Sequence, residues 1–121
     1  MVHKKALILI AHGSRVAKTQ QEMDAYVETI SRESPNLLVY GCYMEIQKPD
    51  LSETMTQVIE SGVKFIQVLP LFIFEGRHMR EDIPAQVEAC QREFPNLSIE
   101  LLPYIGGTSF FADALLKSIQ A

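Results

Sequence analysis

Hydrophobic and polar positions fall in blocks along this chain, and the period changes from block to block. Residues 6–10 are a short aliphatic run without alternation, the pattern of a strand covered on both faces of a parallel sheet. From 16 to 32 the spacing turns helical: Met23, Tyr26, Val27 and Ile30 make one apolar stripe. Ser34-Pro35-Asn36 ends that helix. Residues 37–42 predict a second strand, and Pro49-Asp50 breaks the extended stretch that follows it. Leu51, Met55, Val58 and Ile59 then recur at helical spacing, with Asp50 or Ser52 as cap and Gly62 as stop.

The longest apolar run, 64–74, contains Pro70, so the regular strand is expected over 65–69, with 71–74 leading outward. A third helix is expected over 81–94, with Ile83, Val87 and Cys90 on one face and Pro84 in its first turn. Pro95-Asn96 stops it. A fourth strand follows over 97–102, then Gly106-Gly107, a cap at Thr108 or Ser109, and a last helix with Phe111, Ala114, Leu115 and Leu116 facing inward. The order is β-α-β-α-β-α-β-α. Alternation of this kind demands an α/β fold with a parallel sheet and right-handed crossovers. A four-stranded, flavodoxin-like sheet in the order 2-1-3-4, with helices on both faces, is the expected architecture. The whole chain, 1–121, reads as one domain.

That order has a chemical consequence. Ligands of open parallel sheets bind beyond the carboxyl ends of the strands, where adjacent strands send their helices to opposite faces. Strands one and three are the adjacent pair. The first leads into Ala11-His12-Gly13-Ser14-Arg15, and the third leads into Glu75-Gly76-Arg77-His78-Met79-Arg80-Glu81-Asp82. Two histidine loops are therefore expected to meet, with Glu45, beyond strand two, at the same edge. Imidazoles and a carboxylate suit a divalent first-row metal or proton transfer near neutral pH. Two histidines leave a coordination sphere open, which suits a metal that arrives and leaves better than a structural ion.

Composition narrows the classes. A net charge of −4 argues against a general nucleic-acid binder, which normally carries a basic patch. No apolar run approaches the roughly 20 residues of a membrane span, and the start of the chain has no secretory pattern. Cys42 and Cys90 lack metal-motif spacing, so reduced thiols and a cytoplasmic location are expected. No GxxxxGK[ST] phosphate loop is present. His3 reads as a solvated terminal residue, and Glu81 and Asp82 as favourable charges at a helix N-terminus. A histidine-based phosphotransfer enzyme would want an arginine immediately before His12-Gly13, where Ala11 stands.

The AHGSR segment, the Tyr43-Met44-Glu45 region, and Pro70-Leu71-Phe72 through Gly76-Arg77-His78-Met79-Arg80-Glu81-Asp82-Ile83-Pro84 resemble the small CbiX-type sirohydrochlorin chelatases, of class II. The resemblance runs through nearly the whole chain. It implies ATP-independent insertion of Co²⁺, or in relatives Fe²⁺ or Ni²⁺, into the tetrapyrrole sirohydrochlorin. The metal is then a substrate, with no permanently bound cofactor. It also implies two such halves facing one another, so a homodimer is expected from this single half. Carried over by position, His12 and His78 are the metal ligands and pyrrole proton acceptors, and Glu45 assists them. Ser14, Arg15, Arg77 and Arg80, with Lys48, are expected to hold the substrate's carboxylates, arginine in bidentate fashion. Met79, beside His78, is a candidate to face the macrocycle, whose apolar walls would include part of 71–74. Glu75 departs from the small residue common in the family. The alternative function is a non-catalytic carrier of metal or tetrapyrrole at the same site.

Overall fold

A computed structural model describes residues 5–120, apart from the side chain of His78; His3 lies outside the described residues. Strands β1 (Lys5–Ala11), β2 (Leu37–Tyr43), β3 (Phe65–Pro70) and β4 (Ser98–Leu101) alternate with helices α1 (Ala17–Glu33), α2 (Leu51–Ser61), α3 (Ile83–Glu93) and α4 (Ser109–Gln120). The four strands form one parallel sheet in the order β2-β1-β3-β4, as the alternation required.

Successive residues of β1 serve opposite faces, as the pleat dictates. Ala6, Ile8 and Ile10 join Cys42, Ile66 and Val68 in the main core, closed by Leu51, Met55 and Val58 of α2 and Ile83 and Val87 of α3. Leu7, Leu9 and Ala11 belong to a second cluster with Met23, Val27 and Ile30 of α1 and with Leu69 and Leu71. Fully burying a side chain such as Ile8 or Leu9 stabilises by about 1.5–3 kcal/mol, so this two-sided burial fixes the register of β1.

Burial pushes the Cys42 thiol up to about 12, against the opposing effect of a hydrogen bond with Thr54. Cys42 is therefore packing, as expected of an apolar strand end. Both cysteines are free thiols.

α2 carries a full capping box: Asp50 Oδ1 accepts from the Glu53 N–H and Glu53 Oε1 from the Asp50 N–H, each at 2.9 Å. Gly62 ends the helix in the left-handed conformation, φ 84°. Asp50→Ala is expected to cost about 1 kcal/mol in urea unfolding at neutral pH. The Glu53 N–H, chiefly, holds the Asp50 carboxyl below its ordinary value. A lowered folded-state value means stability present above the unfolded value and lost as pH falls through the folded one. The gap between wild type and Asp50→Ala should therefore narrow in acid.

Three expectations are corrected. The third helix begins earlier than position 81, as a π-helical turn over His78–Asp82 that runs into α3. The wider turn accommodates the residues between the loop and Pro84. Tyr26 is 54% exposed and does not share the burial of Met23. α4 does not face inward: Leu115 and Leu116 are 56% and 51% exposed, Ala114 is exposed, and only Phe111 is half-buried. The cause lies just before the helix. The Leu102 N–H donates to the Val68 carbonyl and the Gly106 N–H to the Phe72 carbonyl, both at 2.9 Å. The chain is thereby fixed along the exit of β3, and α4 leaves from that point.

Candidate functional site

Two backbone hydrogen bonds continue the sheet past the ends of β1 and β2: Met44 N–H to the Ala11 carbonyl at 2.8 Å, and Glu45 N–H to the His12 carbonyl at 3.1 Å. These put His12 and Glu45 side by side. Their side chains meet, His12 Nε2 to Glu45 Oε1 at 3.0 Å, each about half exposed at the open edge. The next residue allows this approach. Gly13 has φ 104°, and a Cβ there would overlap the Glu45 carbonyl oxygen. Only glycine takes that conformation at that separation.

The rest of the first loop is held by uncharged groups. The Ser14 N–H donates to Gln47 Oε1 and the Val16 N–H to Ser14 Oγ, both at 2.9 Å. Ser14 thus shapes the entry to α1. Gln47 went unnoticed in the sequence because an amide in a polar loop carries no pattern that distinguishes it.

The second loop leaves the adjacent strand at the same end of the sheet. The Leu71 N–H donates to the Ile10 carbonyl at 2.8 Å, tying the exit of β3 to β1. His78 opens the π-helical turn, a feature often found at functional positions. Around it Arg77 Nε pairs with Glu81 Oε2 at 3.3 Å, and Arg80 Nε with Glu75 Oε1 at 3.1 Å, all on exposed surface. Glu75 thus has a partner in Arg80.

Arg15 is exposed in the first loop. Lys48 instead turns to the N-terminus of α2, with its Nζ at 3.5 Å from Asp50 and 3.4 Å from Glu53. Met79 packs against the main core, as does Phe72, whereas Leu71 belongs to the second cluster and Ile73 and Phe74 are exposed. Among the described residues no three His, Cys, Asp or Glu side chains gather as a metal-holding group. The His12–Glu45 pair is the assembled part of the expected site.

Residues 6–121 match the family model described as CbiX. Among curated relatives, a sirohydrochlorin cobaltochelatase from Methanosarcina barkeri is 25% identical over 127 residues, covering 99% of this chain and 98% of its own. The chloroplastic sirohydrochlorin ferrochelatase of Arabidopsis thaliana is 25% identical over 114 residues, covering 94% of this chain and 51% of the relative. The chain thus spans about half the length of that larger relative. Among solved structures, the sirohydrochlorin chelatase SirB from Bacillus subtilis subspecies spizizenii, in complex with cobalt, superposes with a TM-score of 0.83 at 26% identity. That match covers 97% of this chain and 50% of SirB. Its sheet, its histidine loops and this match over nearly its full length together place the chain in the CbiX family.

Proposed function

We propose that this chain inserts a divalent first-row metal, Co²⁺ foremost, into sirohydrochlorin without ATP, working as a homodimer. The observation that carries the reading is the His12–Glu45 pair, held at 3.0 Å beyond two adjacent strands of a CbiX-family sheet. Insertion exchanges two pyrrole N–H protons for one M²⁺, so the site needs bases near the ring nitrogens and ligands that release the metal. A carboxylate beside an imidazole fixes its tautomer and orientation. The Glu45 carboxylate, 3.0 Å from Nε2, orients the His12 ring for its work as ligand and proton acceptor. His78, from the neighbouring loop, is the second metal ligand and proton acceptor. The metal is a passing substrate, which fits the small number of strong ligands.

The substrate's carboxylates go to Ser14, Arg15, Arg77 and Arg80. Arg77 and Arg80 are engaged with Glu81 and Glu75 at the surface. Exposed ion pairs of this kind are worth about 0–1 kcal/mol, so a substrate carboxylate displaces them at small cost. Among the described residues no helix is long and apolar enough to cross a membrane. Free Cys42 and Cys90 fit a reducing compartment, and we assign the chain to the cytoplasm.

The test follows sirohydrochlorin absorbance under anaerobic conditions with Co²⁺, Fe²⁺ and Ni²⁺ in separate reactions, lacking ATP. Many turnovers per chain are expected, fastest with Co²⁺. Conversion that stops at one equivalent per chain would identify a carrier. A faster reaction with Fe²⁺ or Ni²⁺ would reassign the metal.

A further inference from the structure

Where the first two loops leave the sheet, their pairing slips by one residue. Inside the sheet Ala11 lies opposite Tyr43. Past that point His12 meets Glu45 and Ser14 meets Gln47. Unbroken register would set Met44 against His12; the slip sets a carboxylate there instead. We propose that Ile46 and Gln47 are positioning residues of the site, which together hold the loops in this slipped pairing and so keep Glu45 against His12. The proposal rests on the reading that this pair acts in metal insertion.

Gln47 is tied at both ends. Its side-chain Oε1 accepts from the Ser14 N–H at 2.9 Å, and its own N–H donates to the Glu45 carbonyl at 2.8 Å. Glu45 in turn donates its N–H to the His12 carbonyl at 3.1 Å. These three bonds close a ring through His12, Ser14, Gln47 and Glu45. The Glu45 carbonyl that Gln47 holds is the one a Cβ at Gly13 would overlap, so its direction decides how closely the loops approach. A half-buried amide suits this post. It brings no charge to the His12–Glu45 pair, and removing its oxygen would leave the partly buried Ser14 N–H without an acceptor.

The bond from Gln47 to Glu45 spans a single intervening residue, Ile46, whose φ is 71°. That is a γ-turn of the rare, strained hand. Ile46 is the one non-glycine residue with positive φ among the described residues, and for a branched side chain positive φ is an outlier. Packing does not account for it, because the side chain is 56% exposed. Strain of this kind persists where the surroundings over-determine the backbone, and it gathers at functional positions. Here the surroundings are the ring of three bonds, and the position adjoins the site carboxylate. Glycine would make the same turn without strain but with a wide choice of others. A branched side chain leaves the turn few neighbouring conformations, so the turn is either made or lost and Glu45 stays in place.

The test uses the full chain, first without metal or tetrapyrrole. NMR cross-peaks between the His12 ring and the Glu45 side chain report their contact. Gln47→Met removes the acceptor at nearly constant length, Gln47→Glu keeps one, and Ile46→Gly releases the strain. Gln47→Met should lose the cross-peaks and about 10²-fold in kcat for metal insertion, the effect of a displacement of about 1 Å. Its KM for sirohydrochlorin should stay within about twofold of wild type, since the arginines assigned to the substrate's carboxylates are untouched. Gln47→Glu should restore the cross-peaks and most of kcat. Ile46→Gly should melt about 3 °C higher yet lose about tenfold in kcat. A merely structural role would move stability and rate together. The proposal is overturned by cross-peaks and kcat unchanged in Gln47→Met, by a loss that Gln47→Glu shares, or by an Ile46→Gly variant as active as wild type. A wild type that inserts no metal overturns the functional reading instead, and the cross-peaks then decide the positioning by themselves.

Discussion

Replacing both His12 and His78 by alanine is expected to abolish metal insertion, lowering the rate by at least about 10³-fold, with the far-UV circular dichroism spectrum unchanged. Proton transfer to a positioned base is worth about 10²–10⁴-fold, and the proposed reaction transfers two protons. The same two imidazoles are the proposed ligands that bring the metal in, so their joint removal also costs its delivery. The fold should tolerate the loss at position 12, where the side chain is about half exposed beside Glu45 and lies outside both apolar clusters. Each single variant should retain measurable activity if one imidazole can take a proton while water carries the other. Rates for the double variant within a factor of three of wild type would remove both residues from the chemistry. Stopped absorbance assays on anaerobic sirohydrochlorin give these rates directly.

The architecture was legible because each level of the chain agrees with the next. The aliphatic run of β1 requires cover on both faces, and it has cover on both. Asp50 and Gly62 mark the ends of α2 by side-chain chemistry and by φ, so they were readable one residue at a time. Strand order followed from alternation and handedness, and it brought the two histidine loops to neighbouring strand ends. What the sequence withheld was of two kinds. The π-helical turn at His78–Asp82 depends on backbone register, which has no hydrophobic period of its own. The outward course of α4 has no sequence signature because an apolar stripe states that a surface seeks cover and is silent on whether the connection before the helix lets it reach that cover; here the Gly106 N–H is tied to the Phe72 carbonyl. The contact of His12 with Glu45 lay between these cases. Both were at one edge of the sheet by topology, and their 3.0 Å separation depended on how closely two loop backbones could approach.

Gly13→Ala should therefore be nearly as damaging to catalysis as loss of a histidine, although position 13 has no functional group. A Cβ at Gly13 would overlap the carbonyl oxygen of Glu45, with the carbonyl carbon 3.1 Å away and the Cβ of Tyr43 at 3.6 Å. Tyr43 is fully buried, and Glu45 is bound through its own N–H to the His12 carbonyl. The first loop has to move as a unit, carrying His12 away from its carboxylate. Displacement of a reacting group by about 1 Å costs on the order of 10²-fold in rate, and alanine at φ 104° adds about 1–3 kcal/mol of backbone strain. Gly62→Ala separates the two effects. Gly62 also has positive φ, 84°, but a Cβ there meets nothing within 4 Å. That variant should lose about 1 kcal/mol of stability and keep its full rate of insertion. Gly13→Ala should lose about 10²-fold in rate even at temperatures where it remains folded. Equal rates for the two variants would mean that positive φ alone matters at position 13, and that the close approach of the loops does not set the geometry of the site.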